Sequence, residues 1–167
     1  MAVIRHEKPE DIAAVRHVNE QAFGRPAEAN LVDALRSRGQ AMLSLVAVED
    51  GRVVGHILFS PVTIESGERT FSAVGLAPMA VLPELQHRGV GSQLVKAGLD
   101  ECRKAGCERV VVLGHPEYYP RFGFVPASSF GIRCEYDVPD EVFMAFELRE
   151  GAMLNCAGIA KYQPEFK

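Results

Sequence analysis

Apolar and polar positions change their spacing several times along this chain, and each change marks a secondary-structure element. Residues 2–5 read as a short opening strand. Pro9, Glu10 and Asp11 then start a helix. Proline has no N–H to leave unpaired at the first helical position, and acids suit the positive end of the helix dipole. Ile12, Val15, Val18, Ala22 and Phe23 recur at helical spacing. A second helix over 27–38 sets Leu31, Val32 and Leu35 on one side and stops at Gly39. The period then shortens to two. Residues 43–48 form a strand, Glu49-Asp50-Gly51 a hairpin turn, and 52 to about 64 a long antiparallel return. Ser66-Gly67-Glu68 turns the chain into a further strand over 70–81, which contains Pro78. Proline cannot donate to a ladder, so this strand should be an edge, carry a bulge, or mark where neighbouring strands part.

Val90, Leu94, Val95, Leu99 and Cys102 share one helical face, which predicts an amphipathic helix over 91–104 ending near Gly106. Arg109-Val110-Val111-Val112-Leu113 has the unbroken apolar character of a strand buried on both faces. Strand, helix and buried strand in that order imply a right-handed βαβ crossover. Further strand segments fall at 124–125, 131–134 and 142–148. The expected fold class is mixed α/β, an α+β mixed sheet with an antiparallel N-terminal half and a parallel βαβ join at its centre. It forms one domain over residues 1–149. Residues 150–167 are expected as a C-terminal tail, for which packing on the domain, covering a cleft and mediating a homodimer all stay open.

Composition narrows the partners. At 167 residues, 47% hydrophobic and 24% charged, the chain can bury one core without help from disulfides or a structural metal. Eighteen basic against 22 acidic residues give a formal charge of −4, which argues against nucleic acid or an anionic membrane as a partner. No apolar run approaches the ~18 residues of a membrane span, and the first residues lack a signal pattern, so a cytoplasmic location is expected. Cys102, Cys107, Cys134 and Cys156 include no CxxC pair and no zinc-type spacing, so they read as reduced thiols with no metal.

The chemistry concentrates in Leu82-Pro83-Glu84-Leu85-Gln86-His87-Arg88-Gly89-Val90-Gly91-Ser92. Gly89 and Gly91 permit a tight strand-to-helix turn and clear side chains from the helix's first N–H groups, which with the dipole form an anion site. On spacing alone, a bound anion and a plain turn are equally good readings. A dinucleotide fingerprint fails because Leu94 stands where a third small residue is needed, and a GxxxxGK[ST] P-loop is absent.

The stretch Met79-Ala80-Val81-Leu82-Pro83-Glu84-Leu85-Gln86-His87-Arg88-Gly89-Val90-Gly91-Ser92-Gln93-Leu94-Val95 resembles the acetyl-CoA motif of the GNAT superfamily of N-acetyltransferases, Gln/Arg-x-x-Gly-x-Gly/Ala after the fourth strand. Tyr118-Tyr119-Pro120-Arg121-Phe122-Gly123-Phe124 looks like the family's tyrosine helix ending in Gly-Phe, and its double tyrosine is most like the YhbS-type bacterial members. The resemblance spans residues 1 to about 149. It implies the GNAT acyl-CoA N-acyltransferase fold, acetyl-CoA as co-substrate, no metal, and a small-molecule amine as acceptor.

Residue by residue, the resemblance implies that Met79, Ala80 and Val81 offer backbone groups to the pantetheine arm. His87, Arg88, Gly89, Val90, Gly91 and Ser92 would wrap the pyrophosphate, with a charge-assisted contact open to Arg88. It implies direct attack of the amine on the thioester, with N–H groups near Val81 facing the oxyanion and Tyr119 facing the departing sulfur. A phenol near pKa 10 facing a thiolate near 8.5 donates uphill by roughly 2 kcal/mol. Tyr119 is therefore either a hydrogen-bond stabiliser or an acid whose pKa its surroundings lower, and Tyr118 is the second choice. The base is open among Glu84, His115 and His56, with His115 leading because histidine titrates nearest neutral pH. Val111-Val112-Leu113 and Gly114-His115-Pro116 depart from positions where relatives carry a carboxylate or Asn. Glu135, Asp137, Asp140 and Glu141 form a solvated acidic loop or the border of a cationic acceptor's cleft. A non-catalytic acyl-CoA binding or sensing module is the alternative function.

Overall fold

In a computed structural model that describes every residue from Met1 to Lys167, the chain divides into two units, one of residues 1–60, 77–100 and 167, the other of 61–76 and 101–166. The first unit begins with β1 (Val3–His6), followed by α1 (Ile12–Phe23), α2 (Ala27–Ser37) and β2 (Leu43–Glu49). To these it adds the opening residues of β3 (Arg52–Ser66), the closing residues of β4 (Arg69–Val81) and most of α3 (Val90–Lys104). β1 pairs antiparallel with β2, Val3 opposite Val48 and His6 opposite Leu45. β2 pairs antiparallel with β3 from Leu43–Phe59 to Glu49–Arg52, with a register shift between Ala47 and Val48.

The start of α1 shows what the Pro9-Glu10-Asp11 signal does. These residues form one 3-10 turn, and Asp11 is buried. Its carboxylate accepts the Lys8 N–H at 2.7 Å and both terminal nitrogens of Arg5 at 2.7 and 3.1 Å. Asp11 therefore acts through specific donors, beyond any effect on the dipole. The inward face of α1 is Val15, Val18 and Asn19, whereas Ile12 and Phe23 are each 39% exposed. Asn19 faces inward because it has a partner there. Its amide Nδ2 lies 3.0 Å from the Val15 carbonyl and 3.2 Å from Nδ1 of His56, and Nε2 of His56 lies 2.9 Å from Ser44 Oγ. His56 is wholly buried, and desolvation, followed by the charge of Arg36, depresses its pKa to about 3. The ring is thus neutral, accepting from Asn19 at Nδ1 and donating to Ser44 from Nε2.

The second unit holds the turn between β3 and β4, then β5 (Arg109–Leu113), β6 (Val125–Pro126), β7 (Ile132–Cys134), β8 (Phe143–Glu147) and β9 (Gly158–Lys161). β4 pairs parallel with β5 over Val74–Leu76, two residues short of Pro78, and β5 pairs antiparallel with β8 from Arg109–Glu147 to Leu113–Phe143. β6 pairs antiparallel with β8. The fold is therefore a mixed parallel and antiparallel sheet with three α-helices. The core of the second unit gathers Val62, Val111, Ile132, Phe143, Met153 and Tyr162.

Residues 150–167 are not a loose appendage. β9 pairs antiparallel with β3, Thr63 opposite Lys161 and Glu65 opposite Ile159, and parallel with β7. Beyond it Tyr162 is buried, its N–H donates to Glu135 Oε2 at 2.5 Å, and Gln163 Nε2 donates to the Pro61 carbonyl at 3.0 Å. Of the roles left open for this segment, packing on the fold is the observed one.

Candidate functional site

The first unit presents a strand-to-helix turn. The Leu82 N–H donates to the Val54 carbonyl at 2.9 Å, which fixes the end of β4 against β3, and Pro83–Leu85 form a 3-10 turn. Gln86 then reaches back, its Nε2 donating to the Val81 carbonyl at 3.0 Å. His87 and Gly89 both lie in the left-handed region, at φ 66° and 87°. Left-handed backbone costs a non-glycine residue strain, and such alternation turns N–H groups toward one side of a turn. A Cβ added at Gly89 would find no atom within 4 Å, so the backbone there is open to a ligand. Gln93 donates to the Gly89 carbonyl at 3.0 Å, and the N–H groups of Val90 and Gly91 stand ahead of that bond at the positive end of α3. Val90 is buried and anchors the helix start, whereas His87 and Arg88 are exposed. Open backbone of this kind at a helix start is the arrangement that can hold an anion.

The second unit presents the tyrosine turn. After β5, the Gly114 N–H donates to the Val142 carbonyl at 2.9 Å, and the His115 carbonyl accepts Tyr118 N at 3.1 Å and Tyr119 N at 3.4 Å. Tyr119–Phe122 form a 3-10 turn. The Tyr119 ring is buried, edge-on to Tyr118 at 5.1 Å and to Phe124 at 5.6 Å between centroids. It lies flush on Gly114, where a Cβ would come 2.3 Å from its Cε2 and 2.8 Å from its Cδ2. A side chain at position 114 would occupy the ring's own space, which accounts for the glycine. Burial, and secondarily the neighbouring Tyr118, lift the Tyr119 pKa above its ordinary value. This direction is opposite to the lowering that the acid role would need. Arg121 lies over the Tyr118 ring at 4.7 Å, a cation–π contact.

The base candidates separate. His115 is exposed, and its carbonyl organises the tyrosine turn. Glu84 is exposed and paired with Arg52 at 3.3 Å. His56 belongs to the buried Asn19–His56–Ser44 chain and is held neutral. Of the four acids, Glu135 serves the Tyr162 backbone and Asp140 accepts from Ser128 Oγ at 3.0 Å. All four cysteines are free. No cluster of three or more His, Cys, Asp or Glu side chains converges as a metal site, and no helix is long and apolar enough to cross a membrane. Gln86 is the residue that sequence reasoning passed over. Its motif position was visible, but the Val81 carbonyl as its partner was not.

The turn, the tyrosine segment and the mixed sheet define a class. Residues 3–127 match the acetyltransferase (GNAT) domain family, and the chain belongs to it. Among relatives, the chain is 36% identical over 165 residues to the Escherichia coli K12 protein called "Uncharacterized N-acetyltransferase YhbS", covering 98% of each chain. The crystal structure of E. coli YhbS in complex with CoA superposes with a TM-score of 0.93 at 36% identity, over 99% of this chain and 91% of that one. A GNAT family acetyltransferase from Brucella melitensis in complex with acetyl-CoA gives 0.83 at 37% identity, over 100% of this chain and 99% of the other.

Proposed function

We propose that this acetyltransferase transfers the acetyl group of acetyl-CoA to a primary amine on a small molecule, by direct attack in a ternary complex. The observation that carries the reading is the turn before α3, where left-handed His87 and Gly89 and the unobstructed start of the helix suit a pyrophosphate. His87, Arg88, Gly89, Val90, Gly91 and Ser92 bind the pyrophosphate, and Met79, Ala80 and Val81 the pantetheine arm. The Val81 carbonyl already accepts from Gln86, so this residue serves through its N–H, with the oxyanion as its target.

Tyr119 donates a hydrogen bond to the departing sulfur and stays protonated as it does so. Its raised pKa widens a gap to the thiol that is already roughly 2 kcal/mol at ordinary values, so full proton transfer is the costlier course. The acceptor amine, with an ordinary pKa near 10.4, must lose a proton. His115 is the proposed base. Glu84 is the weaker candidate because its carboxylate is engaged by Arg52.

Titration calorimetry with acetyl-CoA, followed by thiol release across a panel of small amines, tests the reading. Saturable micromolar binding and release with at least one amine are expected. Absence of saturable binding overturns the coenzyme reading, and binding with no release across the panel favours an acyl-CoA sensing module instead. A Tyr119→Phe variant with unchanged turnover would remove the role given to the phenol.

A further inference from the structure

The C-terminal end of α3 carries two cysteines in one cap. Gly106, at φ 88°, donates its N–H to the Arg103 carbonyl at 3.1 Å, and Cys107 donates to the Cys102 carbonyl at 2.9 Å. These are the paired 5→2 and 6→1 bonds of a Schellman motif, whose geometry brings the side chains at its two outer positions together. An apolar pair usually fills those positions. Here both are thiols, near enough for each to influence the other's titration. Cys102 is fully buried, while Cys107 retains some exposure. The other two thiols are engaged elsewhere: Cys134 Sγ accepts the Tyr136 N–H at 3.5 Å, and Cys156 is buried in the core with Ile132 and Met153.

We propose that Cys102 and Cys107 close a reversible disulfide across the α3 cap, making this helix end a site of oxidative modification. The oxidant is a peroxide. The Cys107 thiolate attacks one peroxide oxygen, the O–O bond breaks, and Cys107 becomes a sulfenic acid. The Cys102 sulfur then attacks the Cys107 sulfur, the S–O bond breaks and water leaves. Two thiols lose two protons and two electrons, and hydrogen peroxide becomes two waters. The six-residue loop is already closed by main-chain bonds, so the disulfide spans two residues whose backbones the cap ties together. Cys107 is the entry point because it is the exposed partner, and Cys102 resolves the sulfenic acid before further peroxide converts it to the irreversible sulfinic form. Burial raises both thiols above their ordinary pKa, so thiolate is scarce at neutral pH and the rate climbs as pH rises.

The test treats the folded full chain with hydrogen peroxide, alkylates remaining thiols and maps tryptic peptides. Arg103 and Lys104 lie between the two cysteines, so cleavage there leaves two peptides joined only if the disulfide has formed. The expected product is that joined pair, undone by dithiothreitol, with Cys134 and Cys156 alkylatable and formation accelerating with pH. Cys107→Ser abolishes it without disturbing the buried thiol. Cys102→Ser, if it folds, leaves a dimedone-trappable sulfenic acid at Cys107. Cys107 advancing to sulfinic acid while Cys102 remains alkylatable overturns the proposal, as does a disulfide joining either residue to Cys134 or Cys156.

Discussion

Buried histidines make sharp thermodynamic instruments, and His56 is the one to use here. It is wholly buried, hydrogen-bonded at both ring nitrogens, and has a pKa depressed from 6.5 to about 3 by burial and, secondarily, by Arg36. In the unfolded chain the imidazole returns to its ordinary pKa near 6.5. Above that value both states leave it neutral and it contributes no pH dependence. Below it the unfolded state takes a proton that the native state refuses, so stability falls with decreasing pH until the folded pKa is reached. The slope approaches about 1.4 kcal/mol per pH unit, and at pH 5, 1.5 units below the unfolded value, the loss is about 2 kcal/mol. Other groups titrate over the same range, so the test is a difference. Gln at position 56 can accept from Asn19 and donate to Ser44 without titrating. His56→Gln should be the less stable protein at pH 7, and its deficit should shrink by about 2 kcal/mol between pH 7 and pH 5 in denaturant-unfolding curves. A deficit that stays constant across that range, or a His56 ring resonance titrating near pH 6.5, would refute both the neutral ring and the burial argument.

Three further outcomes follow from geometry. Gly114→Ala puts a methyl where the Tyr119 ring now lies and should lower kcat in the amine-dependent assay while leaving the affinity for acetyl-CoA nearly unchanged; a normal kcat would show that the ring's seat is not needed. Gln86→Leu removes the bond to the Val81 carbonyl, a net loss of about 1 kcal/mol, so coenzyme affinity by calorimetry should weaken roughly fivefold if that bond holds the turn. Asp11→Asn weakens the contacts to Arg5 and to the Lys8 N–H and should cost about 2 kcal/mol at pH 7 in a denaturant titration. The hydrogen bond from Arg5 first, with Lys8 N–H as a lesser cause, holds the Asp11 carboxyl below its ordinary pKa. Its stabilisation is therefore complete above about pH 4 and lost as pH falls through the folded value, and the mutant deficit should close there.

Local signals in the sequence locate the elements well where the signal is local. β5 falls where the Arg109–Leu113 run puts it, and the β2–β3 hairpin where Asp50-Gly51 does. Non-local partnership is what escapes. β9 has four residues, no clear alternation, and partners at Thr63–Glu65 almost a hundred positions away. Its one usable signal is Gly158, whose missing Cβ would stand 2.3 Å from the Glu65 carbonyl oxygen, since a glycine within a strand marks a close backbone approach. Asn19 faces inward on account of His56, 37 residues on, a pairing with no local signal, and the same pairing weakens His56 as a candidate base. The turn before α3 was readable because it rests on main-chain geometry that Gly89 announces. A proton relay depends on where side chains point, and Glu84 turning to Arg52 has no local signature.

The position of β9 also bears on how the protein is made. Thr63, Ile64 and Glu65 leave the ribosome well before Gly158–Lys161, the strand that lines up beside them. Until then β3 keeps an unpaired edge there, and β7 lacks its parallel neighbour. Exposed strand edges are templates for mispairing. During synthesis that edge therefore remains open to wrong partners until Gly158–Lys161 have been made, and shielding it over that interval would protect yield.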